Sequence, residues 1–105
     1  MQTSGDRVGR GAIRRVSVIT DDRAAAVGFA IPRRVGGAVV RNRIKRRLRA
    51  EIAELERDGM LPGGDHLIRV HAPIDEWSPG RLRQTMRELF VGAGPDRPDG
   101  SSVVA

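Results

Sequence analysis

At 105 residues, 39% hydrophobic and 30% charged, the chain suits one domain with one modest core and leaves no room for a separate cofactor domain. It contains no cysteine, which excludes disulfides, thiolate metal sites and thiol catalysis, and no apolar run approaches the roughly 20 residues needed to span a bilayer. Residues 1–49 carry +10 and residues 50–105 carry −4, so the first half asks for an anionic partner, and a polyphosphate is the usual one.

The start, Met1-Gln2-Thr3-Ser4-Gly5-Asp6, is polar and unlike a signal peptide, so a soluble, cytoplasmic protein is expected. Residues 1–11 read as a loose lead-in. Residues 12–20 have a partial period of two and read as a strand, Asp21-Asp22-Arg23 as a turn, and residues 26–34 as a second strand that pairs with the first in a hairpin. After Gly36-Gly37, apolar residues recur at Val40, Ile44, Leu48, Ile52 and Leu55, which predicts an amphipathic helix over 38–57. Asp58-Gly59 and Pro62-Gly63-Gly64 end it. Residues 66–72 read as a third strand. Ser78-Pro79 caps a last helix through Leu82, Met86, Leu89 and Phe90, with Trp77 sealing it, and residues 93–105 read as a disordered tail after a domain over 1–92.

The expected fold is therefore α+β, a small sheet of three or more strands packed against helices in the order β-β-α-β-α. The second and third strands, separated by a helix, are free to lie parallel, and the general rule would make that crossover right-handed.

The helix over 38–57 carries the main functional signal. Arg33, Arg34 and the helix residues Arg41, Arg43, Lys45, Arg46, Arg47 and Arg49 put eight cations between 33 and 49, with no acid among them. Asn42, Arg43, Lys45, Arg46 and Arg49 project away from the apolar stripe, and Arg41 and Arg47 flank it with their stems along the sheet edge. An ordinary solvated face mixes charge signs, because like charges at i, i+4 repel. Here Arg41, Lys45 and Arg49 form one like-charge row and Arg43–Arg47 another, near a helix N-terminus whose dipole opposes them. A bound polyanion offsets both costs. The acids come later, where Arg47 and Glu51 are spaced to pair. Only Lys45 is lysine, a ratio that genome-wide codon bias explains more readily than selection for guanidinium forks.

With no tyrosine, and with Phe29 and Phe90 at core positions, a base-stacking platform is not expected, so binding rests on phosphates and shape, as in folded RNA. No zipper heptads or helix-turn-helix spacing accompany the helix, and no DNA partner is expected. The basic region also lacks the apolar face of a membrane binder. Gly36-Gly37 has two readings of equal weight, a turn that lets a phosphate approach free helix N–H groups, or a plain turn. His66 and His71, five apart, point to opposite strand faces, and Glu51 and Glu54 read as exposed salt-bridge partners. No catalytic residue and no metal site is expected.

The stretch from Val27 to Arg49, with its basic pair Arg33-Arg34, glycine turn and Arg41-Asn42-Arg43-Ile44-Lys45-Arg46 helix start, closely resembles the protein component of bacterial ribonuclease P. Asp65 before an apolar strand, Pro73 and a last helix ending near Leu89-Phe90 extend the resemblance over roughly residues 12–91.

The resemblance implies a small subunit that binds a catalytic ribonuclease P RNA and assists endonucleolytic removal of the 5′ leader from precursor tRNA. Magnesium is then held mainly by the RNA and not by this chain. Arg33, Arg34, Arg41, Asn42, Arg43, Lys45, Arg46 and Arg49 carry over as RNA-binding positions, and a left-handed crossover around the basic helix is implied. Pro32, Gly37 and His71-Ala72 depart from the usual pattern. Nothing before Ile13 resembles the family's aromatic first helix, so a weakened leader cleft and an uncovered apolar sheet surface are expected. The alternative is a non-catalytic structured-RNA binder, ribosome-associated or an RNA chaperone.

Overall fold

Alternating inward residues set the strands of the computed structural model, which describes residues 3–91. The elements run β1 (Thr3–Arg10), β2 (Ile13–Thr20), β3 (Ala25–Ala30), a 3-10 turn (Arg33–Val35), α1 (Ala38–Arg57), β4 (Gly64–Val70) and α2 (Pro79–Phe90). The sheet order is β1-β2-β4-β3, with β3–β4 parallel and the other two pairings antiparallel. The fold is α+β, as expected. Residues 93–105, expected as a tail, lie outside the described residues.

Two expectations are corrected. Residues 3–10 are not a loose lead-in but strand β1, which pairs with β2 along its whole length through the two-residue turn Gly11-Ala12. Gly11 supplies the positive φ (61°) that such hairpin turns require. The first two strands read from the sequence, now β2 and β3, do not form a hairpin, because β4 inserts between them. In register, Ile13, Arg15 and Ser17 of β2 face Val70, Ile68 and His66 of β4. β3 offers only Val27 and Phe29 to the core among small residues, and takes the edge. It pairs parallel with β4, the arrangement the intervening helix allows.

Both helices cover the same face of the sheet. Ile44, Leu48 and Leu55 of α1 and Leu82, Met86, Leu89 and Phe90 of α2 meet Ile13, Ile68 and Val70 in one core. Each fully buried side chain of this kind contributes about 1.5–3 kcal/mol. Trp77 is half-buried against that core, with the Arg81 guanidinium stacked 3.8 Å from its ring centre. The other sheet face, with Arg7, Arg14, Val18, Asp65 and Arg69 exposed, carries neither helix.

The core also contains a charge. Arg15 is fully buried; it donates to Asp6 Oδ2 (2.8 Å), Ser17 Oγ (2.6 Å) and Leu89 O (2.6 Å), and lies over the Phe90 ring. A buried guanidinium is tolerable only when paired and hydrogen-bonded in this way. Through Arg15, β1, β2 and the end of α2 are tied together. His66 extends the chain of contacts, with Nδ1 2.7 Å from Ser17 Oγ and Nε2 2.7 Å from Pro62 O. Burial is the main cause that holds its pKa below the usual 6.5; the nearby Arg15 charge adds to this, against the Pro62 carbonyl and Asp65. The neutral ring donates from Nε2 to Pro62 and accepts the Ser17 hydroxyl at Nδ1.

Candidate nucleic-acid interface

The helix that carries the basic residues is held rigidly, which is what gives its outer face a defined shape. Gly37 is the N-cap of α1: its carbonyl accepts from Arg41 N–H (2.9 Å), no side chain caps the helix, and no acid lies in its first turn. Gly36 is required for space, because a Cβ there would lie 2.7 Å from Val40 Cγ1, whereas Gly37 faces open space. At 100° per residue, Asn42, Arg46 and Arg49 fall within roughly 60° of one another on the side opposite Ile44, Leu48 and Leu55. All three are exposed.

The cations divide into two sets. Arg47 turns inward and donates to the carbonyls of Asp75 (2.9 Å), Trp77 (2.7 Å) and Ile74 (3.4 Å), so it fastens the loop before α2. It does not pair with Glu51, as the spacing suggested. Glu51 is buried instead and meets Arg83 of α2 at 3.4 Å, because its position on α1 faces the second helix and not solvent. Glu54 is half-buried and pairs with Arg57 at 2.9 Å. Arg41 is half-buried with Nε on Gly36 O (3.1 Å), locking the glycine turn to the helix. Arg43 sits 3.5 Å from Asp75 at the surface, an exposed pair that adds little stability.

The second set is unneutralised. Arg33, Arg34, Asn42, Lys45, Arg46 and Arg49 have no side-chain hydrogen bond or ion pair among the described residues. Arg33 and Arg34 form the exposed 3-10 turn just before the glycines, so they continue the same basic surface beyond the N-terminus of α1. The acids nearest this face sit at the far end of α1, where Glu51 and the C-cap Asp58 engage Arg83 and Arg87 of α2. That split of charge explains why like cations stay together. It was legible from sequence. Arg15, Asp6 and His66 were not, because their roles depend on partners from other strands.

Fold and face together define a small basic α+β domain whose charged helix matches a polyanion. The family model for Ribonuclease P matches residues 3–94. The ribonuclease P protein component of Bacillus cereus (strain AH187) is 35% identical over 71 residues, covering 68% of this chain and 61% of the relative. That of Bacillus anthracis (strain A0248) is equally identical over 71 residues and is covered to 59%. The chain thus spans about three fifths of the length of the curated relatives it matches. The RNase P protein of Staphylococcus aureus has the same fold, with a TM-score of 0.69 at 16% identity over 83% of this chain and 79% of that one. The protein from Thermotoga maritima gives 0.69 at 18% identity over 82% and 81%. This chain belongs to the ribonuclease P protein family.

Proposed function

We propose that this chain is the protein subunit of a ribonuclease P ribonucleoprotein, which binds the catalytic RNA and assists endonucleolytic removal of the 5′ leader from precursor tRNA. The observation that carries the reading is the unneutralised surface of Arg33, Arg34, Asn42, Lys45, Arg46 and Arg49, extended by Arg41 and Arg43, on a helix held to the core from its other side. Guanidinium forks suit phosphate oxygens, and the rigid mount lets them match one RNA shape. Gly37, which faces open space, leaves room for an RNA phosphate to approach the free N–H groups at the start of α1.

In this reading the bond is cleaved by the RNA, and the chain supplies binding and charge compensation. Magnesium belongs to the RNA. The donor set of this face is guanidinium, ammonium and amide, which repels a divalent cation, and no three His, Asp or Glu among the described residues converge as ligands. No helix of the described residues is long and apolar enough to cross a membrane.

The test is to add the protein to a bacterial ribonuclease P RNA at low magnesium and to assay 5′ maturation of precursor tRNA. Stimulation over RNA alone is expected, because protein cations take over part of the charge screening. An absence of stimulation with retained RNA binding would leave a non-catalytic structured-RNA binder.

A further inference from the structure

Trp77 and Arg81 form a stack outside the basic face of α1. Arg81 Cζ lies 3.8 Å from the centre of the Trp77 ring, and Arg81 is exposed, so its guanidinium is backed by the indole on one side and open to solvent on the other. Both layers are fixed. Trp77 N–H donates to Ile74 O (3.1 Å), Trp77 O accepts from Arg47 Nη2 (2.7 Å), and the indole packs against the core. Arg81 N–H donates to Ser78 Oγ (3.1 Å) at the start of α2.

Helix stability does not explain an arginine at this position. Arg81 is the third residue of α2, where a capping box places Glu or Gln, and a cation in the first turn opposes the helix dipole. The other cations of α2 have acids, Arg83 with Glu51 and Arg87 with Asp58. Arg81 has no side-chain hydrogen bond or ion pair among the described residues. Its place is explained instead by the ring behind it, and a guanidinium plane so held is a surface on which unpaired RNA bases stack. The stack also stands beside the basic helix. Arg47 of α1 grips its loop, and Arg43 is 3.5 Å from Asp75 of the same loop, so an RNA strand that reaches Arg43 is next to Arg81. The exposed Glu76 precedes the tryptophan and lowers the local positive charge, which favours a base there over a phosphate.

We propose that the outer face of the Arg81 guanidinium, backed by Trp77, is a stacking site for one unpaired base of the bound RNA. The inference rests on the functional reading above, because it takes RNA as the partner. It adds a contact to a base beside a surface otherwise built for phosphates. Stacking tolerates any base, so the site selects an unpaired nucleotide at this place and not a sequence.

The test uses the full-length protein and three RNA hairpins at fixed low salt: one fully paired, one with a bulged adenosine, and one with an abasic residue in the bulge. The adenosine bulge is expected to bind at least about tenfold tighter than the abasic one, roughly 1.4 kcal/mol. It should also change the emission of Trp77, the one tryptophan of the chain. Arg81→Ala should abolish the preference. Arg81→Lys, which keeps the charge and loses the plane, should abolish it too. An unchanged affinity of Arg81→Lys for the fully paired hairpin reports an intact fold and basic face. The proposal is overturned if the adenosine and abasic bulges bind equally, if Trp77 emission does not respond, or if Arg81→Lys keeps the preference, which would make the contact one of charge alone. Stimulation of ribonuclease P RNA is assayed in parallel. Stimulation without the preference removes the stacking site alone, and the preference without stimulation removes the functional reading and leaves the site in place.

Discussion

Ser17 Oγ and His66 Nδ1 lie 2.7 Å apart across the β2–β4 pair, and this contact makes the core sensitive to protons. Ser17 already accepts from Arg15, so its own proton goes to the neutral imidazole. Protonating His66 would set two donors against each other beside a buried guanidinium. Its folded pKa lies below the unfolded value of 6.5, so the unfolded chain binds the proton first. Stability is therefore full above about pH 6.5 and falls as the pH drops below it, by at most about 1.4 kcal/mol per unit. Urea melts between pH 5 and 8 should show this fall, and His66→Gln should flatten it while lowering stability overall. An equally steep fall in the variant would assign the proton to another group.

Neighbours on one helix should behave as opposites. Arg46 is exposed with no partner among the described residues, and Arg47 holds three loop carbonyls. Arg46→Ala is expected to reduce the salt slope of RNA affinity by about one unit and leave the melting temperature unchanged. For the parent, a face neutralising about six phosphates loses on the order of a thousandfold in affinity between 50 and 200 mM salt. Arg47→Ala should instead cost about 1–3 kcal/mol of stability by stranding those carbonyls. Filter binding across salt, with parallel melts, separates the two.

Leu48 is fully buried between the helices and the sheet. Leu48→Ala should cost roughly 2–5 kcal/mol, the range for large-to-small changes in a core. Chemical denaturation checks it, and a loss under about 1 kcal/mol would mean that α1 is rotated from the phase described.

Gly63, like its neighbour Gly64, sits where backbone leaves no room for a side chain. A Cβ at Gly63 would lie 2.7 Å from Thr20 O and would also strike Arg23 O, where β4 starts beneath the end of β2. Gly63→Ala is expected to cost about 1–3 kcal/mol through forced backbone movement. Gly37, with open space and φ −72°, should accept alanine for less than about 1 kcal/mol. Thermal melts of the two variants give the comparison directly.

What was legible from the chain was local. The bounds of α1 follow from Gly37 before it and Asp58-Gly59 after it, and Ser78-Pro79 starts α2 with the Ser78 hydroxyl accepting from Arg81 N–H. The basic face was readable because helical spacing alone groups its residues. β1 was hidden because its inward residues are Asp6 and Val8, and Asp6 becomes a core residue only when Arg15 meets it. In β2, Val16 and Val18 look as fit for the core as Ile13 and Ile19, so the alternation does not reveal that Arg15 and Ser17 point inward. Strand order depends on residue 64 and beyond, far from the strands it separates. No local pattern carries that.

The central position of β4 has a consequence for how the chain is made. β3 ends at Ala30, and among the described residues the only strand beside it ends at Val70. During synthesis at about 5–20 residues per second, the forty residues between them take roughly 2–8 s to appear. Throughout that interval the β1–β2 hairpin and α1 can form from local contacts, while β3, Ala25–Ala30, has no charged residue and no hydrogen-bonding neighbour. A nascent chain stalled before residue 64 thus presents an open, uncharged strand to whatever surrounds the ribosome, and that is the stage at which a chaperone would be most needed.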